Sequence, residues 1–311
     1  MSSLLIYWSG YSNIPPLNHS VINIEAVFWR HAYVKMRTVQ YSAYCFIGQK
    51  DENQGDDMTG VLFFVAVAGA ALFYVMVRAA FENTVQTVVL AFDDYPDGVD
   101  DLSIFFISDI HRRSIHESII EKVRGKADAV IIGGDLTERG VPFSRVKDNL
   151  RKLADVAPVY FIWGNNDYEV DLNKLESLFF EFNVTVLKNS SVYLAGYDRN
   201  IVLIGTDFID TIQPLRPILH SIKSPAFRIV LSHNPAIVKG VSHADKLSLI
   251  MSGHTHGGQI RIFGIGPYEK GGVKNYPWTT LFVSNGYGTS LLPLRLGAPA
   301  EVHLITLCKR R

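Results

Sequence analysis

Only two cysteines, Cys45 and Cys308, occur in this chain of 311 residues, too few for a disulfide framework, and there is no Cys-x-x-Cys pair. Net charge is missing too. The 30 Lys and Arg are matched by 30 Asp and Glu, so no broad basic surface for nucleic acid is expected, and the terminal Lys309-Arg310-Arg311 is too short to create one. The chain has no Gly-x-Ser-x-Gly elbow for a serine nucleophile and no Gly-x-x-x-x-Gly-Lys phosphate loop. It also lacks internal repeats and low-complexity tracts. These absences leave a globular chain, 48% hydrophobic, whose chemistry must come from other side chains.

Charge is also absent from one long stretch, Met58 to Val77, bounded by Asp57 and Arg78. At about 1.5 Å per residue this run covers roughly 30 Å, the hydrocarbon thickness of a bilayer. It reads as a single transmembrane helix over residues 58–80, long for a signal-peptide core and without a convincing cleavage site. The flanking charges, Lys50 and Arg78, do not choose a side. Residues 1–57 are aromatic but broken by Pro15-Pro16 and end in a polar run, so poor order is expected there. Because Met58 opens the apolar run, it is an alternative start of translation, with residues 1–57 then untranslated.

What stands out beyond residue 101 is a set of short blocks: Asp109-Ile110-His111, Gly134-Asp135, Gly164-Asn165-Asn166-Asp167, Ser232-His233 and Gly253-His254-Thr255-His256. Carboxylates and an Asn carbonyl are hard oxygen donors and four imidazoles are nitrogen donors. That mixture suits Mn, Fe, Co or Zn better than Ca or Mg. Asp109 and His111 are two apart, as are His254 and His256, which on extended backbone turns both members of a pair to one side. Each block follows an apolar run that reads as a strand: Leu102–Ser108, Ala129–Ile132, Val159–Trp163, Arg228–Ser232 and Leu247–Ser252. Ligands collect beyond the carboxyl ends of strands in α/β sheets, so five strand ends deliver side chains to one crevice.

These blocks resemble the calcineurin-like metallophosphoesterase family from about Leu102 to Leu307. The stretch Gly253–Gln259 and the ending Gly288–Gly297 resemble its membrane-associated bacterial branch. The resemblance implies an α/β fold, a four-layer αββα sandwich of two mixed β-sheets flanked by helices, preceded by the N-terminal transmembrane helix. It implies two divalent metal ions (Mn, Fe, Zn or Co). Asp109, His111, Asp135 and His256 would hold the first, and Asp135, Asn165, His233 and His254 the second, with Asp135 bridging. A metal-activated hydroxide then attacks phosphorus in line, which needs no protein nucleophile. Catalytic roles fall to Asp135, Asn166 and Asp167, and substrate contacts to Asn166 and Arg112.

The departure is at Asn166, where the family's commonest pattern has a His thought to protonate the leaving group. An amide cannot act as that acid. Phosphodiesters and pyrophosphates, with better leaving groups, are therefore expected substrates ahead of alkyl monoesters, and the apolar helix favours lipid-linked ones. The other reading is a non-catalytic, metal-stabilised binding protein with a degenerate site. Phosphorylated small-molecule or lipid substrates and a membrane are the expected partners, with no nucleic acid and no obligate protein partner. The Gly133-Gly134 pair reads as a tight turn beneath the metals rather than a phosphate cradle. Asp207 reads as a loop residue near the site by position, or as one that only caps a turn. His116 and His303 read as structural histidines.

The expected layout is a linker and first strand in 81–101, with the strand at Val85–Phe92, and the phosphoesterase domain in 102–311. Helices are expected at Ser114–Arg124, Pro142–Val156, Asp171–Phe182, Pro214–Ser221 and Pro235–Val241. Further strands are expected at Val184–Lys188, Val192–Ala195, Ile201–Gly205, Thr280–Ser284 and Glu301–Leu307. Gly264 to Asn275 reads as a glycine-rich loop walling the substrate cleft.

Overall fold

The computed structural model describes residues 56–209, 211–222 and 225–311. The expectations for the N-terminal extension lie outside the described residues, apart from the helical backbone of Asp56 and Asp57. The chain divides into two units, residues 1–64 and 65–311. The described part of the first, residues 56–64, is helical, with exposed side chains from Met58 onward.

Helix α1 is Asp56–Ala80. Its Met58–Ala80 portion is, among the described residues, the one helix long and apolar enough to cross a membrane. The reason is local: bulky apolar and small residues cover every face, with no polar stripe. Arg78 in the last turn complements the negative end of the helix dipole. The next strand, β1, begins only four residues later.

Two six-stranded sheets build the second unit. The first runs in the order β1 (Thr84–Phe92), β12 (Glu301–Lys309), β2 (Leu102–Ile107), β3 (Ala129–Ile132), β4 (Val159–Phe161), β5 (Thr185–Val186). The second runs β10 (Gly272–Tyr276), β11 (Thr279–Val283), β9 (Leu249–Ser252), β8 (Phe227–Leu231), β7 (Ile201–Gly205), β6 (Ser190–Tyr193). Both are mixed. In the first only β12 and β2 pair antiparallel; in the second the β10–β11 and β7–β6 pairs do.

Period-two alternation creates the layers. In β2, Ile104 and Phe106 enter the apolar cluster between the sheets, while Phe105 and Ile107 enter a cluster beneath helices. In β8, Ile229 and Leu231 face inward, whereas Val230 joins the outer cluster of the second sheet. Helices α2 (Glu117–Val123), α3 (Phe143–Ala154) and α4 (Leu172–Glu181) pack their buried faces on the first sheet. Helix α5 (Arg216–Ser221) and the 3₁₀ turns of Pro235–Gly240 cover the second. The result is the four-layer αββα sandwich.

Three expectations shift. Strand β1 pairs with β12 along its whole length, Thr84↔Glu301 to Phe92↔Lys309, so the first sheet begins at Thr84, ahead of residue 102. The segment read as a loop to Asn275 contains β10, which the antiparallel neighbour β11 stabilises by pairing Gly272 with Val283 through Tyr276 with Thr279. The strand, Gly-Val-Lys-Asn-Tyr, has no run of alternating apolar residues; its hydrogen-bonding partner creates it. The segment expected to be a helix at Pro235–Val241 is instead six residues of 3₁₀ turn, Pro235–Gly240.

Candidate metal centre

Strand ends β2, β3, β4, β8 and β9 bring the five blocks together. Asp109, His111 and His256 each offer a ligand atom within 4.8 Å of the others, and so do Asp109, Asp135 and His233. The two groups share Asp109, whereas the resemblance implies sharing through Asp135. Asp135 is nonetheless central: its Oδ2 lies 3.3 Å from His233 Nε2 and 3.7 Å from His111 Nε2. Asn165 and His254 sit beside the groups, with the His254 and His233 rings 5.0 Å apart between centroids. His111, Asp135, Asn165, His254 and His256 line an open cleft of about 320 Å³, while Asp109 and His233 lie fully buried behind them.

The expected extended geometry of the two His and Asp pairs is not what forms. Asp109 (φ 54°), His111 (51°), Asp135 (52°), His254 (70°) and His256 (49°) all adopt left-handed backbone, which costs a non-glycine residue on the order of 1–2 kcal/mol. Long-range hydrogen bonds hold it: Asp135 O accepts from Ile110 N at 2.8 Å and His111 N at 3.1 Å, and Asp109 N donates to Gly134 O at 3.0 Å. The chain thus turns under the site rather than running straight past it. Gly134 (φ 86°) is required there, since a Cβ would strike the His233 ring; a Cβ on Gly164 would strike Asp135.

The residues fit a bound cation. Asn165 Oδ1 and His233 Nε2 are buried with no aligned hydrogen bond, although Asp135 is near the latter. Leaving such an atom unsatisfied costs about 1–3 kcal/mol, which a metal ion would remove. His233 Nδ1 lies 2.8 Å from Gly133 O; a carbonyl only accepts, so Nδ1 carries the proton and Nε2 faces the centre. His111 Nε2 and His256 Nε2 stand 3.1 Å apart, two nitrogens converging on one point.

Protons occupy the charge balance that a cation would take over. Burial alone would lower the His233 pKa, but the Asp135 and Asp109 carboxylates outweigh it and raise it to about 9. Burial also opposes the charged form of His111, yet its bond to Glu138 and the Asp135 and Asp109 charges push its pKa up. Asp135 is held well below the usual carboxylate range because His233 and His111 overcome its desolvation. Burial lowers His256 to about 4, with the His111 and Arg295 charges adding to the effect, and burial lowers His254 as well. Those two imidazoles stay neutral, as ligands must be.

The catalytic and substrate residues expected beside the ligands divide. Asn166 lines the cleft and grips Asp135, its Nδ2 donating to Oδ2 at 2.6 Å and its backbone N to Oδ1 at 2.8 Å. Asp167 is fully buried and accepts from the backbone N of Asp135 (2.8 Å), Gly164 (2.9 Å) and Thr137 (3.1 Å). It does not line the cleft, so it positions the backbone rather than meeting substrate. Burial and the Asp135 charge raise its pKa to about 7. Arg112 likewise is not among the residues that line the cleft, and its exposed guanidinium pairs with Glu138. Asp207, in the loop after β7, accepts from Tyr168 OH and Phe208 N, and His116 caps α2.

Sequence reasoning passed over two residues that position the ligands. Glu138 Oε2 lies 2.9 Å from His111 Nδ1 and fixes that ring; its place three residues after Asp135 was the available signal. Arg295 is completely buried, and burial lowers its pKa to about 10, leaving it charged. It donates to the carbonyls of Gly288 (2.6 Å), Asn285 (2.7 Å), Ala298 (2.9 Å) and His256 (3.2 Å), with Nη2 3.1 Å from His256 Nδ1. An Arg within Leu292-Pro293-Leu294-Arg295-Leu296, amid apolar residues, was its only signal.

A model of the calcineurin-like phosphoesterase family matches residues 102–258, about half of the chain. The uncharacterized protein YpbG of Bacillus subtilis is 41% identical over 254 residues, 81% of this chain and 96% of YpbG. Phosphodiesterase YaeI of Escherichia coli is 30% identical over 232 residues, 68% of this chain and 84% of YaeI. A Danio rerio protein named transmembrane protein with metallophosphoesterase domain is 28% identical over 274 residues, 79% of this chain and 62% of its own length. With two mixed sheets in four layers and two donor groups for divalent metals at the strand ends, the chain belongs to the calcineurin-like phosphoesterase family, as a metal-dependent phosphoesterase.

Proposed function

We propose that this chain is a membrane-anchored hydrolase of phosphodiester or pyrophosphate bonds that works with two divalent metal ions. The observation that carries the reading is the pair of donor groups joined through Asp109, with the buried Asn165 Oδ1 left without a hydrogen bond beside them. Asp109, His111, Asp135 and His256 would hold one ion and Asp135, Asn165, His233 and His254 the other. Asp135 suits the bridge because its Oδ2 lies between His111 and His233. Two bound ions would lower the pKa of a water and draw charge from the phosphoryl oxygens. Asn166 keeps the Asp135 carboxylate oriented and presents an amide, not an acid, to the cleft.

The full-length, manganese-loaded protein is expected to release nitrophenol from bis(p-nitrophenyl) phosphate, to lose that activity with a chelator and to regain it with added metal. A protein that binds metal yet releases none would favour the non-catalytic reading. Because no acid serves the leaving group, rates should rise steeply with leaving-group acidity. Asn166→His should raise kcat/KM for alkyl esters by about 10²-fold or more relative to aryl ones, the usual worth of general acid catalysis. Parallel plots of rate against leaving-group pKa for both proteins would end that account.

Anchoring is supported by the length and apolarity of Met58–Ala80 and by the Danio rerio relative's name. The full-length protein is expected to remain with membranes after a carbonate wash. Its recovery in the wash would remove the anchor from the proposal.

A further inference from the structure

Phe263 and Leu291, the two most exposed large apolar side chains among the described residues of the second unit, lie on two loops at the lip of the cleft. One loop is a tight turn closed by Ile262 and Ile265, whose backbone N and O atoms bond reciprocally at 2.9 Å, with Phe263-Gly264 at its tip. Phe263 is 99% exposed and Ile265 78%. The other tip is Leu291, 95% exposed, followed by Leu292. Phe263 (φ 51°) and Leu291 (φ 61°) both hold left-handed backbone, an unfavourable conformation for such residues. In water these tips spend strain to display apolar surface.

The two loops form one lip. Gln259 Nε2 donates to Ser290 O (3.0 Å) and Leu292 O (3.2 Å), while its Oε1 accepts from Ser290 N (2.9 Å). Arg261 N donates to Leu296 O at 2.8 Å, and the Arg261 guanidinium holds Gly257 O at 2.9 Å, next to the ligand His256. Tyr268 and Leu291 from these loops also wall the cleft. The lip is tied to the anchor as well: Arg295 N donates to Met76 O at 3.0 Å. Leu291 is four residues from Arg295, a reach of at most about 14 Å. Met76 lies four residues before the end of α1 at Ala80, and so close to the end of an apolar segment long enough for a hydrocarbon layer roughly 30 Å thick. The Leu291 tip is thereby held within reach of the end of α1.

We propose that the Ile262–Ile265 turn and the Leu291–Leu292 tip dip into the same lipid surface that α1 crosses, so that the cleft opens against the membrane. The substrate class is then an amphiphilic phosphodiester or pyrophosphate whose hydrocarbon chain stays in the bilayer while its phosphate reaches the metal centre. The inference rests on the membrane-anchored reading above. An apolar helix long enough for a bilayer, tied by a hydrogen bond to a loop that displays apolar tips beside a polar cleft, favours lipid over a protein partner.

The test uses the full chain in phosphatidylcholine–phosphatidylglycerol vesicles, with Cys45→Ser and Cys308→Ser removing native thiols. A nitroxide is attached through Phe263→Cys or, as a control on exposed Phe180, through Phe180→Cys. The label at position 263 should be open to oxygen and closed to a water-soluble nickel chelate, and the label at 180 the reverse. A second arm compares water-soluble bis(p-nitrophenyl) phosphate with vesicle-borne hexadecyl p-nitrophenyl phosphate, which water cleaves to hexadecyl phosphate and nitrophenol. Phe263→Ser with Ile265→Ser should lower the second rate about tenfold or more and leave the first nearly unchanged. Nickel access at position 263 in vesicle-bound protein overturns the lip contact while sparing the anchor. Closure to both reagents also overturns it, in favour of a protein contact, and so does equal loss on both substrates. Failure of the unaltered protein to hydrolyse either substrate sinks the catalytic reading instead, and the label still reports depth.

Discussion

Asp135→Ala should abolish phosphodiester hydrolysis and strip metal from the protein. The Asp135 carboxylate is buried, held well below its usual pKa by His233 and His111, and oriented by both the backbone N and the side chain of Asn166. Removing it leaves His233 without its nearest anion and His111 with Glu138 as its close carboxylate partner, and leaves any ion there short of a ligand. Losing an outer partner of a metal ligand typically costs 10- to 100-fold, so losing a ligand set between two ions should cost about 10³-fold or more. Elemental analysis and kcat/KM on bis(p-nitrophenyl) phosphate check it together. An active Asp135→Ala protein carrying two metals per chain would refute the assignment.

Arg295→Met should destabilise the fold more than any single ligand change. The guanidinium is completely buried and serves carbonyls of Asn285, Gly288, Ala298 and His256 from one point. Methionine fills similar volume but donates nothing, so several carbonyls lose their partner in a dry interior. Each costs about 1–3 kcal/mol, and a total of roughly 4 kcal/mol would lower Tm by about 8–16 °C for a domain of this size. Thermal unfolding of the two full-length proteins in the same detergent measures this. The loop that carries Arg295 also carries the lip of the cleft and its tie to α1, so metal affinity should fall as well, through His256. A change in Tm of under about 2 °C would show that water takes over those carbonyls.

Most of the metal centre could be read from the chain because its residues lie in short blocks, each directly after an apolar run that becomes a strand. Asp109, Asp135, Asn165, His233 and His254 follow β2, β3, β4, β8 and β9 in that order. The pairing of Arg112 with Glu138 could not be read from the sequence, because it forms only in the folded chain. Nor could the three backbone N–H groups that donate to Asp167, which only the folded chain assembles.

The sequence by itself determined the donor types, the strand runs with their two-sided alternation and the apolar helix, since each is a pattern within a few consecutive residues. Only the tertiary structure decided the left-handed backbone at the candidate ligands, the β10 strand, the buried Arg295 with its tie to Met76, and the hydrogen bonds that join the loops of Phe263 and Leu291. Those depend on hydrogen bonds between segments far apart in the chain, such as Ile110 N to Asp135 O, Gly272 paired with Val283 and Arg295 N to Met76 O. A local pattern carries no record of partners that meet only when the sheets stack.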